Sequence, residues 1–322
     1  MKAAILHQLG ELPRYQDWAD PVPTAGQQLL RVHAASIKQL DKLKVAGRHY
    51  THFASLPTTI GVDGVGVLDD GRRVYAAGVT GMMAEQALIA ADSGIVVPDG
   101  LSDALAAVLP NALLGSDAAL TCRAGFTPGE TVLVNGATGV SGQMAVQTAR
   151  LRGAGTIIAT GRNPQQLARL QELGADVVLP LTLPPEQFAE QLERIYRATP
   201  LDIVLDYLWG SATAQLLQHL VRYCTHPLRL VTIGQMAGAE LGLPSAWLRA
   251  HPISLIGSGY GSLSAADVRS YQERWLPHWF EQAADGALIQ PVEECGLEDV
   301  ADAWERSPAA ASRLVLLTAN AR

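Results

Sequence analysis

The chain has 322 residues, long enough for two domains, and 48% of them are hydrophobic against 17% charged. Its net charge of −7 argues against a broad surface that binds the phosphates of a nucleic acid. The three cysteines lie far apart, so they predict neither a disulfide framework nor a cysteine zinc cluster, and they fit a reducing compartment.

The N-terminal region is predicted to be rich in short strands, because apolar or alternating runs are punctuated by prolines and glycines at turn-like spacing. The predicted strands are Met1–Leu6, Gln28–Ala34, Thr59–Leu68, Arg73–Gly78 and Glu85–Ala90. A helix is predicted over Ser102–Leu109, with Ser102 as its cap. The first apolar run is too short for a signal peptide, so we expect a cytoplasmic protein that does not enter a membrane.

From about residue 130, apolar strands alternate with helices. The predicted strands are Thr131–Asn135, Thr156–Thr160, Asp176–Leu179, Asp202–Asp206, Leu228–Ile233 and Ile253–Gly257. The predicted helices are Ser141–Arg152, Pro164–Leu173, Glu186–Ala198 and Ser211–Tyr223. Continuous apolar strands between helices indicate an α/β fold with a parallel sheet covered on both faces. Six strands is the count of the doubly wound Rossmann fold, which binds dinucleotides.

The C-terminal segment has no place in that sheet. A helix is predicted over Ala265–Ala284, a strand over Leu288–Val292, a helix over Leu297–Arg306 and a last strand over Arg313–Leu317. We expect this segment to pack onto the N-terminal region. The predicted domains are therefore a discontinuous one, formed by residues 1–115 and 262–322, and a Rossmann domain over residues 116–261.

The strongest motif is the glycine-rich turn between the strand Thr131–Asn135 and the following helix. Three glycines occur there, and we expect Gly139 to provide the tight turn and Gly142 to allow close packing of helix and sheet. The free N–H groups at the start of the helix are suited to bind a pyrophosphate. The predicted cofactor contacts of this turn are Ala137, Thr138, Gly139, Val140, Ser141 and Gly142.

The end of the second strand indicates which dinucleotide is bound. A carboxylate there would bind the ribose of NAD, but no acidic residue occurs between Glu130 and Glu172. Gly161 and Arg162 follow the strand instead, and a guanidinium can bind the 2′-phosphate of NADP(H). The alternative for Arg162 is a surface arginine without a ligand. We predict NADP(H) as the cofactor.

Nearly the whole chain resembles the medium-chain dehydrogenase/reductase superfamily, close to its zinc-free quinone oxidoreductase branch. The resemblance is carried by MKAAIL at the N-terminus, IGVDGVGVL at 60–68, VLVNGATGVSGQMAVQTAR at 132–150, VTIGQMAG at 231–238 and LEDVADAW at 297–304. It implies a GroES-like, β-rich catalytic domain formed by both chain ends, which faces the cofactor domain across a cleft, and it implies a homodimer. Further predicted cofactor contacts are Asp206, Ile233, Gly234 and Arg313.

The same resemblance implies that catalytic zinc is absent. Zinc-dependent alcohol dehydrogenases of this superfamily hold the metal with a cysteine, a histidine and a second cysteine or an aspartate. The corresponding residues here are Lys38, Val62 and Asn111, which are poor zinc ligands. His49 and His52 lack a third ligand nearby, so we do not predict a metal site there.

Hydride transfer from NADPH to a quinone, an enone or a similar small acceptor creates negative charge, which needs a hydrogen-bond donor. Lys38 and Tyr50 are the candidate donors. For Lys38 the favoured alternative is an exposed lysine beside Lys42 and Lys44. Asp41 matches an aspartate of the quinone reductases, and it either orients a donor or caps a helix.

Two other functions remain open at this point. A cofactor site does not guarantee turnover, so the chain could be a non-catalytic NADPH-binding sensor or a structural protein of the same fold. It could also be an alcohol dehydrogenase with an unusual metal site. The sequence favours a zinc-independent, NADPH-dependent reductase over both.

Overall fold

The computed structural model describes residues 1–49, 51–259, 261–309 and 311–321. The chain forms two compact units, one comprising Met1–Pro110 with Gln272–Arg322 and the other comprising Asn111–Tyr271. The catalytic and cofactor-binding roles expected for residues 1–115 with 262–322, and for residues 116–261, stay predictions.

The first unit contains most of the short strands. Its N-terminal elements are β1 (Lys2–Leu6), β2 (Arg14–Asp17), β3 (Gln27–Ser36), α1 (Gln39–Val45), β4 (Thr58–Thr59), β5 (Asp63–Leu68), β6 (Arg73–Ala77), β7 (Gln86–Ala90), β8 (Ile95–Val96) and α2 (Asp103–Leu114). The boundary between the units falls within α2.

The second unit alternates strands and helices. Its elements are β9 (Thr131–Asn135), α3 (Val140–Leu151), β10 (Thr156–Gly161), α4 (Pro164–Glu172), β11 (Val177–Pro180), α5 (Pro185–Ala198), β12 (Ile203–Asp206), α6 (Gly210–Leu220), β13 (Leu228–Thr232), α7 (Ser245–Ala250) and β14 (Ile253–Gly257). A π-helical turn, Ala119–Arg123, precedes β9.

The chain then returns to the first unit. The second boundary between the units falls within α8 (Ala265–Ala284). The last elements are β15 (Val292–Gly296), a 3-10 turn (Leu297–Asp299), α9 (Val300–Glu305) and β16 (Arg313–Leu317). The first unit holds an antiparallel sheet of order β2-β1-β4 and a mixed sheet of order β15-β16-β3-β5-β6-β8, with β7 also paired to β3. The β-rich architecture predicted for this part of the chain is confirmed.

The six strands of the second unit form one parallel sheet of order β11-β10-β9-β12-β13-β14. Successive side chains of a strand point to opposite faces, so both faces of this sheet need a cover. Val132 and Val134 of β9 lie in one apolar cluster, and Leu133 lies in another. Read in chain order, the strands follow the 3-2-1-4-5-6 arrangement of the Rossmann fold, which confirms the predicted fold class.

Two predicted strands differ from the structure. Thr59–Leu68 is divided into β4 and β5, which belong to different sheets. Leu288–Val292 was expected to be a strand, but the strand is β15, Val292–Gly296, which pairs in parallel with β16. The apolar side chain of Leu288 is buried in the core instead, and Pro291 has no N–H to donate to a ladder. β15 lies at the edge of its sheet, where polar side chains are tolerated, so its sequence did not stand out.

Among the described residues, one helical segment is long and apolar enough to cross a membrane by length and composition, namely Asp103–Arg123. However, 72% of the most apolar 18-residue stretch of this segment is buried inside the protein. Core helices can have the same length and apolar composition, because burial in a protein core and burial in lipid both favour apolar residues. We therefore interpret this segment as a core helix.

Candidate functional site

The glycine-rich turn lies directly between β9 and α3, at the carboxyl edge of the parallel sheet. Gly136 has the left-handed conformation, with φ of +84°, and a Cβ atom on it would lie 2.7 Å from a side-chain carbon of Leu208. Gly139 is extended, with φ of −88° and ψ of 175°, and immediately precedes the helix. The expectation that Gly139 provides the tight turn was therefore wrong, because the left-handed residue is Gly136.

Two other glycines allow close packing around this turn. A Cβ atom on Gly142 would lie 2.6 Å from Cα of Ala137, so the first turn of α3 rests directly on the loop backbone. A Cβ atom on Gly161 would collide with the methyl group of Thr138. A larger residue at position 142 would have to displace the backbone of the turn, and one at position 161 would have to displace the side chain of Thr138.

The outer side of the turn is open. An added Cβ on Gly139 would meet no atom within 4 Å, and no side chain caps α3. Val140, Ser141 and Gly142 form the first turn of the helix, where N–H groups have no partner within the helix. Open space and unpaired N–H donors at the start of a 12-residue helix fit the diphosphate of a dinucleotide.

The end of β10 carries a cation and no carboxylate. Arg162 directly follows Gly161, its side chain is exposed, and it makes no hydrogen bond with the residues that the structure describes. Asn163 caps α4 by accepting hydrogen bonds from the N–H groups of Gln165 at 2.9 Å and Gln166 at 3.1 Å. The guanidinium therefore lies on a short, fixed connection and is free to meet an anion.

A buried polar network joins the ends of three strands. Asp206 at the end of β12 is 0% exposed, and its carboxylate accepts hydrogen bonds from Asn135 Nδ2 at 2.9 Å and Thr213 Oγ1 at 2.8 Å. The hydroxyl of Thr160 donates to Asn135 Oδ1 at 2.8 Å and accepts from the N–H of Gly136 at 2.9 Å. The network thus reaches the glycine-rich turn from the interior of the sheet.

Sequence reasoning missed most of this network. It singled out Asp206 as a cofactor contact, whereas the carboxylate is buried and bonded within the protein. The pKa of Asp206 is raised above its ordinary value, because the effect of burial outweighs the hydrogen bonds from Thr213 and Asn135, which lower the pKa. The available signal was the polar residue near the end of an otherwise apolar strand, as at Asn135 and Thr160. Ile233 and Gly234 lie beside the network, because their N–H groups donate to the backbone carbonyl of Asp206 at 2.8 and 3.2 Å.

In the first unit, Lys38 is fully buried, with 1% of its side chain exposed. Its ammonium lies 2.8 Å from the carboxylate of Asp63 and 3.4 Å from that of Asp41, and it also donates to the carbonyl of Ser36 at 3.0 Å. The favoured expectation of an exposed lysine was therefore wrong. Burial opposes the charge of Lys38, but the two carboxylates outweigh it and raise the pKa of the lysine.

Asp41 lies in the first turn of α1 and acts as a cap. Its carboxylate accepts from the N–H of Lys38 at 3.0 Å and from the N–H of Val62 at 3.1 Å. Arg313 on β16 lies close enough to Asp41 and Asp63 for its charge to interact with theirs, and burial lowers the pKa of its guanidinium. Its Nη1 donates to the carbonyl of Ile37 at 3.5 Å. Lys38, Asp41 and Asp63 thus form a buried charged cluster, and the partly buried Arg313 lies beside it.

The remaining predicted residues lie outside this cluster. Tyr50 falls outside the described residues. His49 is bonded to the hydroxyl of Thr51 at 2.7 Å, and His52 is exposed. Among the described residues, no group of three or more histidine, cysteine, aspartate or glutamate side chains is arranged to hold a metal ion.

Comparison with known proteins gives consistent matches. A family model described as "Zinc-binding dehydrogenase" matches residues 141–275, a range that excludes Lys38, Val62 and Asn111. The chain is 29% identical over 347 aligned positions to the "Probable NADPH-dependent quinone reductase tdiC" of Emericella nidulans, covering 95% of this chain and 96% of that protein.

It is also 31% identical over 300 residues to a phenolphthiocerol/phthiocerol polyketide synthase chain of Mycobacterium tuberculosis. That match covers 88% of this chain but only 13% of the synthase chain. Among solved structures, the quinone oxidoreductase of Thermus thermophilus, determined alone and in complex with NADPH, is similar with a TM-score of 0.76. The identity is 28%, and the match covers 98% of this chain and 100% of the other.

Proposed function

We propose that this chain is a member of the medium-chain dehydrogenase/reductase superfamily, in its quinone oxidoreductase-like branch, and that it is an NADPH-dependent oxidoreductase. Its proposed substrate is a quinone, an enone or another acceptor in which a carbonyl is conjugated to a carbon–carbon double bond. We propose a cytoplasmic location and a homodimer as well.

The observation that carries the proposal is the open turn between β9 and α3. The parallel sheet ends there, Gly139 faces empty space, and the N–H groups at the start of α3 are uncapped by side chains. The relatives whose names include NADPH align with this chain over at least 95% of its length. We assign the diphosphate of the cofactor to this turn and the 2′-phosphate to Arg162.

When bound, NADPH supplies a hydride from its nicotinamide ring to the acceptor. The acceptor then carries negative charge on oxygen, which a donor of the protein must stabilise before a proton arrives. The hydroxyl of Tyr50 is the proposed donor. Lys38 is a weaker choice for this role, because its ammonium is buried and already donates to Asp63 and to Ser36.

We therefore propose that Lys38 and Asp41 are positioning residues. Their bonds fix the start of α1 and join it to the backbone at Val62. The same cluster is relevant to zinc binding. At the position where related dehydrogenases have a zinc ligand, this chain has an ammonium that is paired with two carboxylates and cannot ligate zinc, and we propose that the reaction is zinc-independent.

The proposed function is tested by a screen of NADPH oxidation with quinones, enones and aldehydes, each compared with the rate without protein. We expect turnover with quinones or enones and little with simple aldehydes, because an unconjugated carbonyl is a poorer hydride acceptor without a Lewis acid. NADPH binding without turnover on any acceptor would favour the sensor or structural function.

A further inference from the structure

We propose that the buried network of Asp206, Asn135 and Thr160 sets the hydrogen-bond polarity of the cofactor-binding turn, and that these three are positioning residues for NADPH. The inference rests on the proposed function, because the turn is the assigned diphosphate site. It also replaces the predicted direct contact between Asp206 and the cofactor, since that carboxylate is fully buried.

The carboxylate of Asp206 can only accept hydrogen bonds when it is ionised. One oxygen receives Asn135 Nδ2 at 2.9 Å and the N–H of Leu208 at 3.2 Å. The other receives the N–H of Trp209 at 3.2 Å and the hydroxyl of Thr213 at 2.8 Å. Every group bonded to this carboxylate points a donor at it.

Because the carboxylate requires donors, the orientation of the next two side chains is fixed. Because the amide of Asn135 must turn its Nδ2 toward Asp206, its Oδ1 faces Thr160 and accepts the hydroxyl proton of that residue. The oxygen of Thr160 then has lone pairs available for the N–H of Gly136, at 2.9 Å. Each group therefore donates toward the carboxylate, from the N–H of Gly136 through Thr160 and Asn135 to Asp206. Gly136 is the residue whose left-handed conformation makes the turn.

The same carboxylate holds a second loop. Trp209 has φ of +54°, an unfavourable conformation for a residue with a side chain, and its N–H is bonded to Asp206. The carbonyls of Tyr207 and Leu208 accept from the N–H groups of Met236 and Ala237, at 3.3 and 2.8 Å. Asp206 thus stabilises both loops at the carboxyl edge of the central strands β9 and β12.

The test uses a pair of nearly isosteric changes. Asp206→Asn places an amide N–H₂ among donors, and Asn135→Asp places two carboxylates face to face. The double variant restores the match between the two side chains, because the amide now at position 206 can donate to the carboxylate now at position 135, which still accepts from Thr160. We expect each single change to raise the Kd for NADPH roughly tenfold or more. The double variant should recover part of the loss, because the N–H of Leu208 still faces the amide at position 206.

The matched control is Asp202→Asn at the opposite end of the same strand. Asp202 accepts from the N–H of Thr131 at 2.7 Å and contacts His226 at 2.6 Å, so this change also removes charge from a strand end. We expect it to lower thermal stability while leaving the Kd for NADPH within about twofold, well under the tenfold step that 1.4 kcal/mol represents.

If Asp206→Asn does not fold, Thr160→Val tests the same relay without changing any charge. It removes the acceptor of the Gly136 N–H, whereas Thr160→Ser retains it, so only the serine variant should bind NADPH like the wild type. Binding is measured by NADPH titration of the full chain, with circular dichroism as the check on folding.

The outcomes separate the two proposals. Absence of NADPH binding by the wild type overturns the proposed function. Normal wild-type binding with unaffected folded variants overturns the network alone. The network is also overturned if the loss of NADPH affinity in the double variant equals or exceeds the sum of the losses in the two single variants. In that case the pattern of donors and acceptors would not affect binding.

Discussion

Replacing Arg162 with alanine should weaken NADPH binding selectively, and the structure allows the size of the effect to be worked out. Arg162 is exposed and makes no hydrogen bond with the described part of the chain, so its removal should not disturb the fold. A hydrogen bond to a charged group contributes about 1.5–3 kcal/mol net, and tenfold in affinity corresponds to about 1.4 kcal/mol. Exposure to solvent screens the contact, so we expect the loss to be nearer tenfold than hundredfold.

The assay is a titration of NADPH and NADH against the wild type, Arg162→Ala and Arg194→Ala at one fixed salt concentration. Arg194 is also exposed and lies on α5 of the same unit, so it controls for the change in net charge. We expect only Arg162→Ala to weaken NADPH binding, with NADH unaffected in all three proteins. Equal affinity of the wild type for both cofactors would refute the reasoning, as would an equal loss for both in Arg162→Ala.

Two further substitutions test the first unit. Lys38→Met leaves Asp63 buried without its 2.8 Å partner, which should cost about 3–5 kcal/mol of unfolding free energy. Chemical denaturation measures the free energy of unfolding, and the double variant Lys38→Met with Asp63→Asn should recover part of the loss. A loss below about 1 kcal/mol in Lys38→Met alone would mean that the ion pair contributes little to stability. Tyr50→Phe should lower kcat about 10²–10³-fold with the best acceptor, because it removes the proposed donor, while the KM for NADPH stays unchanged. An unchanged kcat would exclude that role.

The Rossmann fold was predictable because its signals are local. β9 and β10 each have an apolar run at their centre, and a proline after Asn163 marks the start of α4. The six-stranded sheet follows once these runs alternate with helices. The edge strands β2 and β15 escaped prediction because an edge strand is only partly buried and needs no apolar run.

The candidate site was less predictable, because its key contacts join distant residues. Lys38 is buried because Asp63, 25 residues later, neutralises it, and no local pattern indicates that pair. Asp206 meets Asn135 across 71 residues. The glycine spacing predicted the phosphate turn, but only the backbone geometry revealed that Gly136, and not Gly139, has the left-handed conformation.

The central claim is that this chain transfers hydride from NADPH to a conjugated acceptor without zinc. The most direct test is the steady-state rate of NADPH oxidation by a quinone, measured before and after dialysis against a chelator, with zinc content determined by mass spectrometry. We predict the same kcat/KM in both preparations, no stoichiometric zinc, and a lower kcat/KM with NADH. One tightly held zinc per chain whose removal abolishes turnover would contradict the account.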